Sequence, residues 1–151
     1  MTVTVAREPV HQPAVRALLE PAWALSGALY PAESNHHLDE SALELPDVSF
    51  FVARNNTTAC GCGALMRVDE RYGEVKSLFV APAARGLGLA RALLAAIEAE
   101  ARKQGLSLLR LETGIRQPEA IGLYEATGFR RIAPFGTYQD DPLSLFMEKA
   151  L

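Results

Sequence analysis

The chain has 151 residues, 49% hydrophobic and 22% charged, with a formal net charge of −3, which is enough length for one domain with a buried core. Its acidity, with a sequence pI of about 5.6, excludes the basic footprint of a nucleic-acid-binding domain. No apolar run is long enough to cross a bilayer, and the opening MTVTVAREPV lacks the basic segment and apolar core of a signal peptide, so a cytoplasmic protein is expected.

In chain order, Thr2–Arg7 alternates and predicts a first strand. A helix follows, with Pro13 near its start and Val15, Leu18 and Leu19 on its apolar face; Pro21 is expected to interrupt it, leaving a second piece with Trp23, Leu25 and Leu29. YPAESNHHLDESALELPD is polar and loop-like, with a short helix expected near Ser41–Leu45. VSFFVAR and TACGCGALMRV, separated by an Asn-Asn turn, predict a hairpin. Another turn leads to the strand Glu74–Val80.

From Gly88 to Gln104 the periodicity becomes helical, with Ala90, Leu93, Leu94, Ile97 and Ala101 on one face and Gly105 as the stop. LSLLRLE predicts a strand, Pro118–Thr127 a shorter helix closed by Gly128, and FRRIA and LSLFMEKA the last two strands. The order is a β-meander, then βαβα, then a strand pair. No repeat or linker divides the chain, so residues 1–151 are expected to form one domain. The last strand, Leu143–Lys149, carries outward apolar positions, and an open edge there predicts a homodimer.

Cys60 and Cys62 flank one glycine on a strand-like segment, so their side chains are expected to point the same way. A disulfide between such near neighbours is geometrically poor, and an isolated Cys-x-Cys is a weak metal signal. No catalytic or metal role is assigned to them, and no metal is expected elsewhere. The adjacent His36 and His37 lack spaced partners and read as solvated loop residues.

The chemistry-bearing stretch is Arg85-Gly86-Leu87-Gly88-Leu89-Ala90, at the start of the long helix. Free N–H groups and the helix dipole favour an anion there, glycines allow close approach, and Arg85 adds a full charge, a combination suited to a pyrophosphate. A P-loop is excluded because no Gly-Lys-Ser/Thr exists. A Rossmann fingerprint, with Glu112 taking a ribose, fits poorly: the third glycine position is Arg91, the loop from Val80 is too long, and a meander precedes it.

FVAPAARGLGLA, with Arg85, Gly88 and Ala90, resembles the acyl-CoA motif of the GCN5-related N-acetyltransferases, Arg/Gln-x-x-Gly-x-Gly/Ala after a strand ending in Val-x-Pro. AIGLYEATGF, with Ala120, Leu123, Tyr124, Gly128 and Phe129, is similar to the family's second motif, in the same order and separation. The family often has Asn three residues before Ala120; here the residue is Gln117. The resemblance implies an α/β (α+β) fold with a mixed, mostly antiparallel twisted sheet flanked by helices, whose central parallel strands splay to admit acetyl-CoA. It places the pyrophosphate on Arg85, Gly86, Leu87, Gly88, Leu89 and Ala90, and the pantetheine arm along Leu78, Phe79 and Val80, with Gln117 and Tyr124 nearby. Transfer to a small-molecule or peptide amine would be by direct attack, with Tyr124 as acid for the leaving thiolate and Glu74 as base. Glu74 could equally be a solvated carboxylate paired with Lys76. For the acceptor, the resemblance points to Glu33, Ser34 and His36 on one side and Tyr138 on the other. A non-catalytic acyl-CoA sensor or scaffold is the alternative reading.

Overall fold

The computed structural model describes residues 2–151. Seven strands form one sheet in the order β1-β2-β3-β4-β5-β7-β6: β1 (Val3–Arg7), β2 (Val48–Asn55), β3 (Thr58–Arg67), β4 (Tyr72–Val80), β5 (Leu108–Gly114), β6 (Arg130–Ile132) and β7 (Ser144–Ala150). All neighbours are antiparallel except β4 and β5. The helices are α1 (Pro13–Leu29), the single-turn α2 (Glu40–Leu43), α3 (Leu89–Lys103) and α4 (Pro118–Ala126). Among the described residues no helix is long and apolar enough to cross a membrane.

Two cores cover the two sheet faces. Leu89, Leu93, Leu94, Ile97 and Ala101 of α3, with Tyr124 of α4, pack on Val75, Leu109, Leu111 and Met147. Val15, Leu18 and Leu19 of α1, with Leu43 of α2, pack on Phe50, Val52, Cys62 and Ala64. A third, smaller cluster of Tyr72, Phe135 and Phe146 anchors the β6–β7 connection.

Three expectations are corrected. First, α1 runs unbroken through Pro21. An interior proline costs about 3 kcal/mol. The apolar stripe of Val15, Leu18 and Leu19, all buried, contributes roughly 1.5–3 kcal/mol per side chain, so packing outweighs the lost hydrogen bond.

Second, Cys60 and Cys62 face opposite cores: Cys60 joins the α3 side and Cys62 the α1 side. The register with β2 slips between Ala53 and Arg54, because Ala53 pairs with Gly61 while Arg54 pairs with Ala59. Cys60 is the extra residue of a bulge, and a bulge breaks the alternation on which the expectation rested. Burial pushes the Cys62 thiol up to about 12, which leaves it inert at neutral pH.

Third, β7 is no open edge. It pairs with β5 along its whole length and with β6 at Phe146–Glu148. The outer strands are β1 and β6, so the edge on which a dimer was expected is covered by β6 over Phe146–Glu148, its central part.

One irregularity opens the site. The parallel ladder of β4 and β5 holds only from Tyr72–Leu108 to Glu74–Arg110. Beyond it β4 stays with β3 and β5 stays with β7. A second bulge, on β4, sets Ser77 and Leu78 against the single Gly63 of β3, with Ser77 at φ 54°, and bends β4 away.

Candidate active site

The splay leaves a cleft between β4 and β5, of about 160 Å³, lined among others by Trp23, Tyr30, Ser77, Leu78, Phe79, Glu112, Gln117 and Tyr124. On the α3 face it leads toward a hollow at the glycine loop, lined by Val80, Arg85, Gly86, Gly88, Leu89, Ala90 and Arg91. On the opposite face it meets a larger pocket of about 880 Å³, the two sharing Ser34, His36, His37 and Lys76. The cleft and the larger pocket thus adjoin, and the hollow begins at Val80, one residue beyond the cleft-lining Phe79.

The glycine loop is built for an anion. Gly86 and Gly88 have φ of 84° and 77°, conformations that L side chains rarely adopt. Gly88 is the N-cap of α3 and supplies no side-chain cap, so the first amides of the helix have no acceptor within the helix. Leu89 turns its side chain into the core, 1% exposed, which leaves its backbone toward the hollow. The Arg85 side chain is exposed. Leu87 points to solvent and its side chain lines none of these cavities.

Along the cleft, Ser77 offers a second sign of a missing partner. Its hydroxyl oxygen is buried and has no hydrogen bond among the described residues. A buried orphan of this kind fits the amide groups of a pantetheine arm. Together with the loop amides, it makes these residues compatible with coenzyme A.

Tyr124 is buried in α4, edge-on to Phe129 at 5.6 Å. Its hydroxyl makes no hydrogen bond among the described residues, and the residue lines the cleft. Burial, then the nearby Glu112 charge, pushes its pKa well above the usual phenol value. The ring therefore stays protonated across the working pH range. Glu112 lies across the cleft, accepts 2.7 Å from the Ser144 hydroxyl, and is pushed upward chiefly by burial.

Glu74 is not the solvated carboxylate of one reading. It is 4% exposed. Its Oε2 accepts from Lys76 Nζ at 2.6 Å and from the Tyr138 hydroxyl at 2.7 Å. Lys76 also donates to the Tyr138 hydroxyl at 2.7 Å and to the His36 carbonyl at 3.2 Å. Val75 belongs to the α3 core, so alternation turns Glu74 and Lys76 to the other face, where the β6–β7 connection covers them. Burial and Glu74 push the Tyr138 pKa well above the usual value.

The acceptor-side residues come together as expected. Glu33, Ser34, His36 and Tyr138 all line the larger pocket. Ser34 donates to Asp141 at 2.5 Å, and His36 packs edge-on against Tyr138. His37 stacks on Trp23 instead of standing free in solvent. Among the described residues no group of three potential ligands could hold a metal. Gln117 also lies on the cleft, but its side chain is engaged by the Tyr30 hydroxyl at 3.4 Å.

Lys76, Ser77 and Tyr30 are among the residues that sequence reasoning left without a site role, Ser77 because its left-handed conformation arises from a bulge between paired strands. The Glu74-x-Lys76 spacing was a usable signal for the first. None existed for Tyr30, whose hydroxyl accepts from the Arg116 amide at 3.0 Å across 86 residues of chain. Tyr30 lies flat on Gly114, where an added Cβ would fall 1.9 Å from its hydroxyl. Gly114→Ala is therefore expected to displace Tyr30 and cost about 1–3 kcal/mol of stability, as other overpacked sites do. An unchanged urea midpoint would show that Tyr30 yields freely.

The chain matches the Acetyltransferase (GNAT) family over residues 13–129. It is 53% identical over 150 residues to an IAA acetyltransferase of Azospirillum brasilense, covering 99% of this chain and 98% of that one. A crystal structure from Klebsiella pneumoniae, described as that of an acyl-CoA N-acyltransferase by assignment, superposes with a TM-score of 0.85 at 36% identity, covering 99% and 98% of the two chains. The PaiA N-acetyltransferase of Thermoplasma acidophilum, solved with coenzyme A, shares the fold at a TM-score of 0.79 and 17% identity over the full length of both chains.

Proposed function

Because the chain belongs to the GNAT acetyltransferase family, we propose that it carries an acetyl group from acetyl-CoA to a primary amine by direct attack. The observation that carries this reading is the cleft between the splayed strands, which opens into the acceptor pocket and is lined by Phe79 and Tyr124, next in sequence to Val80 and Leu123 of the glycine-loop hollow, with the Tyr124 hydroxyl unbonded among the described residues. The amine nitrogen forms its bond to the thioester carbon, the carbon–sulfur bond breaks, and the electron pair leaves with sulfur. Amides of Gly86–Ala90 and the Arg85 charge hold the pyrophosphate. The side of Leu78–Val80 that faces away from β3, where pairing with β5 has ended, runs along the arm and offers a donor to the developing oxyanion. Tyr124 gives its proton to the departing thiolate.

Glu74 takes the ammonium proton, directly or through water. Its Oε2 is occupied by Lys76 and Tyr138, and its Oε1 makes no hydrogen bond among the described residues, while the residue lines the acceptor pocket. Glu74→Gln is expected to slow turnover most at low pH, where free amine is scarce, with the defect shrinking as pH nears the amine's own pKa. The change also leaves the Lys76 ammonium buried without its carboxylate, which alone costs several kcal/mol, so Glu74→Gln/Lys76→Met is the proper comparison. A pH-independent defect in that pair would remove Glu74 as base.

Direct attack also predicts that no acyl-cysteine forms. Replacing both Cys60 and Cys62 with Ala should leave turnover largely intact. Mass spectrometry that trapped an acetyl group on either cysteine of the natural chain would contradict it.

A further inference from the structure

Resting on the acetyltransfer reading above, we infer that the acceptor is a primary amine with an apolar body and no carboxylate near its nitrogen. The larger pocket meets the acyl cleft at Ser34, His36, His37 and Lys76, so the amine must arrive from there. Its permanently charged lining is one-sided: Glu33, Glu74, Asp140 and Asp141 against Lys76, with the imidazoles of His36 and His37 beside them.

That lysine is not free for a ligand. Its ammonium has three protons, and three acceptors take them: Glu74 at 2.6 Å, the Tyr138 hydroxyl at 2.7 Å and the His36 carbonyl at 3.2 Å. Asp141 is held ionised by the Ser34 hydroxyl and the Leu143 amide, which keep its pKa below the usual carboxylate range. A substrate carboxylate would enter a partly enclosed space whose one permanent cation is already engaged, whose imidazoles are packed on Tyr138 and Trp23, and whose other charges are of its own sign. Like-charge juxtaposition at a recognition site is strongly penalised, and a desolvated anion without a partner more so. An ammonium meets the reverse situation.

The body of the acceptor is set by the remaining walls. Met66, Val68, Tyr72 and Leu143 line the same pocket, and Tyr138 turns its ring into it between His36 and Phe135. An aryl or branched alkyl group matches this wall, and its attached ammonium would lie toward Glu74 and Tyr138.

The test compares three acceptors of one shape with acetyl-CoA: 2-phenylethylamine, phenylalanine, and phenylalanine methyl ester, whose carboxylate is masked. The expected result is a kcat/KM for the amine and the ester on the order of 100-fold above that for phenylalanine, the scale of a repelled charge. Asp140→Lys should narrow the gap, raising kcat/KM for phenylalanine relative to that for 2-phenylethylamine. Equal turnover of all three, or a preference for phenylalanine, would overturn the inference and leave amine acetylation standing. Acetyl-CoA binding with no amine acetylated in any arm would overturn both.

Discussion

Tyr124→Phe is expected to lower kcat by roughly 10²–10⁴-fold, the usual worth of a positioned general acid, with little change in fold, in acetyl-CoA affinity or in KM. Phe keeps the ring that packs edge-on against Phe129 and loses only a hydroxyl that makes no hydrogen bond within the described chain. A stability cost is therefore not expected, and a loss in kcat alone would mark an interaction made mainly in the transition state. Burial and Glu112 raise the phenol's pKa, which keeps it protonated but weakens it as an acid, so its contribution comes from being held beside the departing sulfur. It enters each cycle protonated, and the thiolate need only be close to it. A Tyr124→Phe enzyme with near wild-type kcat, with chemistry shown to be rate-limiting, would return Tyr124 to the core.

Gly88→Val is expected to weaken coenzyme A binding by roughly 100-fold, about the worth of one or two charge-assisted hydrogen bonds. Gly88 has φ 77° at the N-cap of α3, and a β-branched residue there is strained. The side chain would also stand over the amides that face the phosphates. Nothing in the protein lies within 4 Å of a Cβ at this position, so crowding by the fold cannot explain a loss. Gly88→Ala, smaller and unbranched, should lose less. Arg85→Ala should weaken binding modestly, since the amides remain. Calorimetry with coenzyme A reads all three, and a folded Gly88→Val protein of unchanged affinity would refute the assignment of this loop.

The sequence patterns that foretold the fold were those whose cause is local. Alternation located β1 and β7, the Asn-Asn turn between two apolar runs located β2 and β3, and the long apolar stripe located α3, because such signals are written into residue type and spacing. The glycine loop and the Tyr124 helix were legible for the same reason, their special residues standing at fixed offsets. The failures have non-local causes. Pro21 stays in α1 because a sheet packs against that helix. Cys60 and Cys62 part company because a bulge is a property of two paired strands, invisible in one. The β7 edge is closed by β6, only three residues long, and no spacing rule says where so short a strand will dock.

The acceptor side shows the same division. Glu33, Ser34, His36 and Tyr138 could be named in advance, and they do line one pocket. What they do there depends on Lys76, which joins Glu74, Tyr138 and the His36 carbonyl from three separate parts of the chain. The splay itself could not be read from β4 or β5 alone, since it arises where the β3 ladder slips and Ser77 takes up a left-handed conformation.

The central claim is that acetyl leaves coenzyme A only as an amine takes it. The most direct measurement follows thiol release and acetylated product together, with acetyl-CoA and 2-phenylethylamine, by a thiol reagent and by mass spectrometry. The account predicts one N-acetyl product for each thiol released, with negligible release when the amine is left out. Tight acetyl-CoA binding without product would instead identify an acyl-CoA sensor or scaffold, and thiol release that ran on without amine would contradict direct transfer.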